Sequence, residues 1–448
     1  MYIDFLLEIF KKNKPNTAII WCDKEFSYKW LLNSITKWKN YLVEKGIDRG
    51  EIVSLIGDFS PTSISLLLAL IENRNIIVPL TNSTDIDLHN RLIISSVNTL
   101  LKINRNDTVE YSVLSYKSDH QHYKELRKKR LPGLVLFTSG TSGEPKAAVH
   151  DFSRLLKKFI TPRKSLRTVN FLLFDHWGGL NTLFHTLSSG GVVLSLHERS
   201  PEKVSAFIEK YKIELLPASP TFLNLLILSE SYKNHDLSSL KLITYGTEPM
   251  PESTLMRIKK IFPSVKLQQT YGLIELGVLR SKSKSDDSLW VKIGGEGYST
   301  RVVDGILQIK ADSAMLGYLN APSPFTNDGY FITGDLVSVD GDYLKILGRK
   351  SELINVGGEK VYPAEVENII IQFQNVSDAT VFGEKNPITG NIVCAKIRLN
   401  RPVDKREFVK NLKKYCRERL KTYKVPVKII ITNEVQHSER FKKKRAGV

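Results

Sequence analysis

At positions 136–146 the chain reads LFTSGTSGEPK. An apolar run feeds a loop in which Thr138, Ser139, Thr141 and Ser142 are interleaved with Gly140 and Gly143, and Pro145-Lys146 closes it. Glycines let successive backbone N–H groups turn toward one point, hydroxyls add donors, and lysine adds charge. Together these make a nest for an oligophosphate. The loop is not G-x-x-x-x-G-K-[S/T], because Glu144-Pro145 separates the second glycine from the lysine. A flexible surface turn is the plainer alternative, but six consecutive hydroxyl or glycine residues followed by Pro-Lys argue against it. The opposite end of the chain is strongly basic. Residues 401–448 hold sixteen Lys or Arg against five Asp or Glu, so most of the formal net charge of +18 sits there. Such a surplus points to phosphate-bearing or acidic partners.

The elements around the loop set the fold class. Short apolar runs at 17–22, 52–58, 75–80, 133–138, 170–174, 191–196, 213–218 and 240–246 alternate with helical stretches. Ser219-Pro220 before TFLNLLIL supplies a capping residue and then proline at the first helical position. Strand–helix alternation of this kind predicts α/β architecture with mostly parallel sheets. From about 280 the texture changes to a polar loop at 281–288 and then short strands with Asp-Gly or Asn-Asp-Gly turns, which read as hairpins. Beyond 348 a small α+β unit is expected. It has a helix from Pro363, strands at 378–383 and 391–398, a helix at 404–420 and a strand at 427–432. The expectation is a large multi-subdomain N-terminal domain over 1–348 and a small mobile C-terminal domain over 349–448, hinged near 349–351.

Several classes are excluded by the same residues. With 448 residues, 42% hydrophobic and 25% charged, the composition is that of a globular protein with two or three domains. The longest apolar run, 64–71, is far below the roughly 20 residues of a membrane-spanning helix. The N-terminus carries an acid at Asp4 and its lysines after the apolar stretch, unlike a secretory signal. Three dispersed cysteines give neither a disulfide framework nor a metal spacing, so a cytoplasmic setting is expected. The basic tail lacks interleaved aromatics beyond Phe441, so no nucleic-acid partner is expected.

The 138–146 loop resembles the phosphate loop of the adenylate-forming superfamily, which comprises acyl-CoA synthetases, carrier-protein adenylation domains and luciferases. Further motifs stand in the expected order. FDHWGGL at 174–180 resembles a strand-to-helix turn whose His176 gates the acyl pocket, with Asp175 beside it. YGTE at 245–248 is similar to the adenine turn formed by Gly246, Thr247 and Glu248. QTYGLIELG at 269–277 matches a Tyr-Gly-x-Thr-Glu pattern at Tyr271, Gly272 and Glu275, while Ile274 stands where the family has a hydroxyl. YFITGD ends on Asp335, the expected ribose ligand, and Arg349 follows. Lys350 and Ser351 fall at the expected hinge, with Ser351 in place of Asp or Lys, and Gly357, Gly358 and Glu359 fall in the expected pantetheine tunnel. Glu365 and Glu367 read mainly as helix-capping acids. Near the end, Lys442 and Arg445 keep the spacing of Gly-Lys-x-x-Arg with Phe441 in place of glycine, and Lys443 or Lys444 takes the lysine role in a shifted register.

The resemblance implies an ATP- and Mg2+-dependent ligase of the acyl-CoA synthetase branch. Thr138, Ser139, Gly140, Thr141, Ser142, Gly143 and Lys146 would hold phosphates, and Glu275 would hold Mg2+. Lys442 would bridge the carboxylate and the α-phosphate. The small domain would then rotate to admit the thiol of coenzyme A or of carrier-protein phosphopantetheine. Two other readings stay open. In one, an enzyme loads an amino or aryl acid onto an acyl carrier protein, with Asp175 as ammonium anchor. In the other, a degenerate homologue binds nucleotide without ligase activity.

Overall fold

The computed structural model describes residues 2–81, 84–116, 118–138, 144–438, 441 and 443. Strands Ile52–Ile56 and Ile76–Leu80 are buried at every position, as interior parallel strands rich in β-branched residues must be. The helix between them, Pro61–Glu72, starts with Pro61 after a reciprocal Ser60–Ser63 capping box. It is buried except at Glu72, with the Thr62, Ser63 and Ser65 hydroxyls donating to backbone carbonyls, because it lies in a core shared by two sheets.

One sheet has seven described strands in the order Lys266–Gln269, Leu242–Tyr245, Leu215–Ala218, Arg167–Asn170, Val192–Ser195, Thr17–Trp21 and Lys24–Ser27. Only its last pair is antiparallel. The second also has seven described strands, with a parallel centre from Gly133–Phe137 through Ile76–Leu80 and Ile52–Ile56 to Thr99–Ile103. Antiparallel strands finish both of its edges. A third sheet, antiparallel throughout, runs from Ser281–Ser283 to Tyr343–Arg349 in sequence and packs its own core. After the 3-10 turn Lys350–Glu352 comes a smaller unit with a separate core. Its helices Pro363–Ile371 and Lys405–Arg417 accompany a three-stranded sheet of Val376–Asn386, Gly390–Leu399 and Lys428–Ile431.

Three expectations need correction. The 170–174 run is not a strand: the strand is Arg167–Asn170, and Phe171 and Phe174 are buried in the turn that enters the next helix. A continuous apolar run marks burial without fixing conformation. The 281–288 segment is not wholly loop, since Ser281–Ser283 pairs with Trp290–Ile293. Of the three Asp-Gly turns, those at Gly305 and Gly341 join hairpins, whereas Asn327-Asp328-Gly329 closes only a Phe325–Phe331 bridge. Among the described residues no helix is long and apolar enough to cross a membrane.

Candidate active site

Strand ends create the first half of the site. Tyr245 closes a parallel strand, and its carbonyl accepts the Thr270 N–H at 2.7 Å. Gly246 then passes Thr270 so closely that a Cβ there would lie 2.6 Å from the Thr270 carbonyl oxygen. Only glycine fits. Thr247 follows in the left-handed region with φ of +75°. On the far side of Thr270, Tyr271 is buried and its Oη donates to Asp335 Oδ2 at 2.6 Å. Arg349 Nε lies 3.3 Å from the other oxygen, Oδ1. Asp335 and Arg349 are register partners on neighbouring antiparallel strands, which is why the pair forms. Burial raises the Asp335 carboxyl above its ordinary range despite Arg349 and Tyr271, which both favour the anion. Burial, then Asp335, holds the Tyr271 phenol well above its usual value.

The second half gathers around Lys146, at the described end of the 138–146 segment. Thr138 N–H donates to the Lys146 carbonyl at 2.9 Å and closes the loop's stem; residues 139–143, which include Ser139, Gly140, Thr141, Ser142 and Gly143, lie outside the described residues. Lys146 Nζ lies 5.6 Å from the centre of the Tyr318 ring, and Tyr318 Oη donates to Glu275 Oε1 at 2.6 Å. Asn320 holds both sides of the lysine, taking the Ala147 N–H and donating to the Pro145 carbonyl. Gly272 is as tightly placed as Gly246, with Gly277 O 2.8 Å from where a Cβ would be. Ile274, in place of a hydroxyl, packs against two apolar clusters. Among the described residues no group of three or more His, Cys, Asp or Glu could hold a metal; Glu275 is held by Tyr318 through Oε1. One such carboxylate beside a phosphate loop suits Mg2+, which takes few protein ligands and fills its shell from phosphate and water.

The gate region differs from its sequence reading in one respect. His176 is the N-cap of helix Trp177–Ser188, with Nδ1 accepting the Gly178 N–H at 3.0 Å. Asp175 is buried and faces Arg91, whose Nη1 is 3.6 Å from Oδ2, while Thr81 Oγ1 donates to the same oxygen at 3.2 Å. Its charge is therefore already matched from within the protein.

The tail brings the two units together. Glu248 is held at both oxygens: Oε1 accepts the Thr221 N–H at 2.8 Å and Oε2 the Lys443 N–H at 3.3 Å. Lys443 Nζ points into the small unit, 2.6 Å from the Ala379 carbonyl, 3.5 Å from Glu367 and 3.6 Å from Asp378. The shifted-register role for Lys443 is thus met by a buried structural ion cluster instead. Glu367 likewise is more than a capping acid, because it is buried and also accepts the Val381 N–H at 3.0 Å. Glu365 pairs with Lys424. Lys442, Lys444 and Arg445 lie outside the described residues. Gly357, Gly358 and Glu359 form an exposed hairpin turn, and both glycines have positive φ. Lys350 and Ser351 are exposed in the 3-10 turn. Tyr318 and Asn320 were not singled out in the sequence; their contacts with Glu275 and Pro145 span 43 and 175 positions, and no local motif marks them.

Comparison with known proteins agrees with this geometry. Residues 8–305 match the family model described as AMP-binding enzyme, and residues 365–442 match the AMP-binding enzyme C-terminal domain. An indoleacetate–CoA ligase of Aromatoleum aromaticum is 24% identical over 96% of this chain and 94% of its own length. A 2-succinylbenzoate–CoA ligase of Bacillus subtilis is 30% identical over 67% of this chain and 65% of its own. In fold, the chain is similar to the anthranilate CoA ligase AuaEII bound to anthranoyl-AMP, with a TM-score of 0.82, 20% identity, and coverage of 98% and 95% of the two chains.

Proposed function

The chain belongs to the AMP-binding enzyme family, and from that premise we propose that it is an AMP-forming acid–CoA ligase. In the first half-reaction a carboxylate oxygen attacks the α-phosphorus of ATP. The bond to the bridging oxygen breaks, and pyrophosphate leaves with its electron pair. In the second, a thiol attacks the acyl carbon, gives up its proton, and AMP departs as the thioester forms.

The carrying observation is that Asp335, a ribose-type acceptor, lies within electrostatic reach of Glu275, which Tyr318 links to Lys146, a phosphate-type cation. Asp335, held by Tyr271 and Arg349, has two oxygens suited to a pair of hydroxyl donors. Lys146 and Glu275 meet through Tyr318 at the mouth of the loop. Gly246 and Thr247 supply the backbone against which a base can lie. Glu275 would hold Mg2+, which when bound neutralises phosphate charge. Little covalent work falls on these residues; they position and stabilise charge. We assign Lys442 to the bridge between carboxylate and α-phosphate. Domain rotation about Lys350–Ser351 would then bring Gly357, Gly358 and Glu359 to the thiol arm. The relatives carry CoA-ligase names, which favours coenzyme A over a carrier protein. Arg91 opposite Asp175 disfavours the amino-acid reading, because an ammonium would have to displace a guanidinium already in place. We place the reaction in the cytoplasm, where ATP and CoA are at hand.

A panel of aryl, fatty and amino acids in ATP–pyrophosphate exchange tests this, followed by CoA against holo-carrier protein as acceptor. Exchange with aryl or fatty acids and thioester formation on CoA are expected. ATP binding without exchange for any carboxylate would leave the nucleotide-binding homologue.

A further inference from the structure

Phe441 stands where the family resemblance expects glycine, and it keeps the backbone conformation that glycine favours, with φ of +50°. A bulky side chain there is strained, so something must hold it. Its ring enters an aromatic slot of the large unit, with centroids 5.3 Å from Phe171 and 5.4 Å from Phe222, and stacks on His437 at 5.3 Å. Its carbonyl accepts the Ser219 hydroxyl at 2.8 Å. Two residues on, Lys443 is anchored differently. Its ammonium is buried among Ala379, Glu367 and Asp378, all of the small unit, with side-chain exposures of 7% for Lys443, 3% for Glu367 and 9% for Asp378.

The side chains on either side of Lys442 are thus fastened to opposite units, while the Lys443 N–H also donates to Glu248 of the large unit at 3.3 Å. The Lys443 ammonium is fixed to the unit that would rotate, and its backbone bond to Glu248 would have to break as it does. Phe441 is fixed to the unit that stays behind, so it must withdraw from its slot whenever the small unit turns. Among the described residues the surrounding interface also carries Ser253 Oγ donating to Asn368 Oδ1 at 2.8 Å and Asn224 Nδ2 donating to the Ser377 carbonyl at 3.4 Å. Thr221 Oγ1, Asn224 Oδ1, Ser377 Oγ and Thr380 Oγ1 are buried without a hydrogen bond among the described residues, and a crevice lined by Thr221, Asn224, Glu248, Glu367 and Asp378 runs between the units. An interface with unmatched polar groups gains little from closing, which leaves the aromatic slot a large share in holding it shut.

We propose that Phe441 is a detachable aromatic latch, a positioning residue that biases the two units toward the orientation for acyl-AMP formation. Its effect on turnover and the rotation it opposes rest on the ligase reading above; the aromatic contact between the units does not. Phe441→Gly isolates the ring, because glycine accepts the left-handed backbone without strain. The activity-free readout uses Ser253 and Asn368, which touch across the interface at 2.8 Å. In a Cys22→Ser background, Ser253→Cys with Asn368→Cys forms a disulfide only when the units are closed. Phe441→Gly is expected to slow this crosslink roughly tenfold, in line with loss of two aromatic contacts, and Phe441→Tyr to restore it. Carboxylate-dependent pyrophosphate exchange should fall by a similar factor while thioester formation from supplied acyl-AMP persists. Equal crosslinking rates with Phe or Gly at 441 would overturn the latch, as would equal loss of both half-reactions. Slower crosslinking in Phe441→Gly with no exchange in the parent chain would uphold the latch and overturn the ligase reading.

Discussion

Tyr271 donates its phenolic proton to Asp335 across 2.6 Å in a buried setting, and Arg349 flanks the other carboxylate oxygen. The hydrogen bond favours the anion, while burial opposes it and keeps the carboxyl above its ordinary range. Removing the hydroxyl therefore raises the Asp335 pKa further. As pH falls through that value, Asp335 gains a proton and loses an acceptor for ribose. In Tyr271→Phe the acid limb of ATP affinity should move to higher pH, with KM for ATP at neutral pH rising about tenfold, the worth of one hydrogen bond to a charged group. An ATP KM profile against pH for both proteins checks this.

Asp175 and Arg91 carry a second prediction. Asp175→Ala removes a carboxylate 3.6 Å from a largely buried guanidinium, at a cost of about 2 kcal/mol. Thermal melting should report that loss. The order of preference among carboxylic acids should stay unchanged, since the residue matches an internal charge.

Tyr318 carries a third. Its hydroxyl fixes one oxygen of Glu275, so Tyr318→Phe frees the carboxylate to wander from the position proposed for Mg2+. The Mg2+ concentration for half-maximal exchange should rise several-fold, roughly as for loss of an outer-sphere partner. Melting temperature separates this from general damage.

Acid stability gives a fourth. Burial depresses His150 to about 4, and burial followed by Arg163 and Lys158 depresses His185 to about 4. Between pH 6.5 and 4 the unfolded chain binds more protons at these rings than the folded one, so stability rises with pH across that window and is lost as pH falls through it. Replacing His150 with Leu should flatten that part of a denaturation-versus-pH curve.

Local motifs disclosed much of this site, and long-range pairs did not. Gly246, Tyr271 and Glu275 sit at strand ends that alternation and turn signals could place, and Asp335 sits within the strand Phe331–Asp340. Tyr318 reaches Glu275 from a two-residue edge strand with no pattern of its own. Asp175 reads equally well as an ammonium anchor until Arg91, 84 positions earlier in sequence by residue number, is seen beside it. Glu248 was expected at the nucleotide, yet both its oxygens accept backbone N–H groups of Thr221 and Lys443. The apolar run 170–174 shows the same limit for secondary structure, since burial in a turn and burial in a strand require the same residues.

The central claim is that this chain joins a carboxylate to AMP. Carboxylate-dependent exchange of labelled pyrophosphate into ATP, run on the parent chain and on Lys442→Ala, measures it most directly. The account predicts exchange with an aryl or fatty acid that is lost in Lys442→Ala, while that variant still forms thioester from supplied acyl-AMP. Absence of exchange with every carboxylate despite ATP binding, or equal loss of both half-reactions in Lys442→Ala, would contradict it.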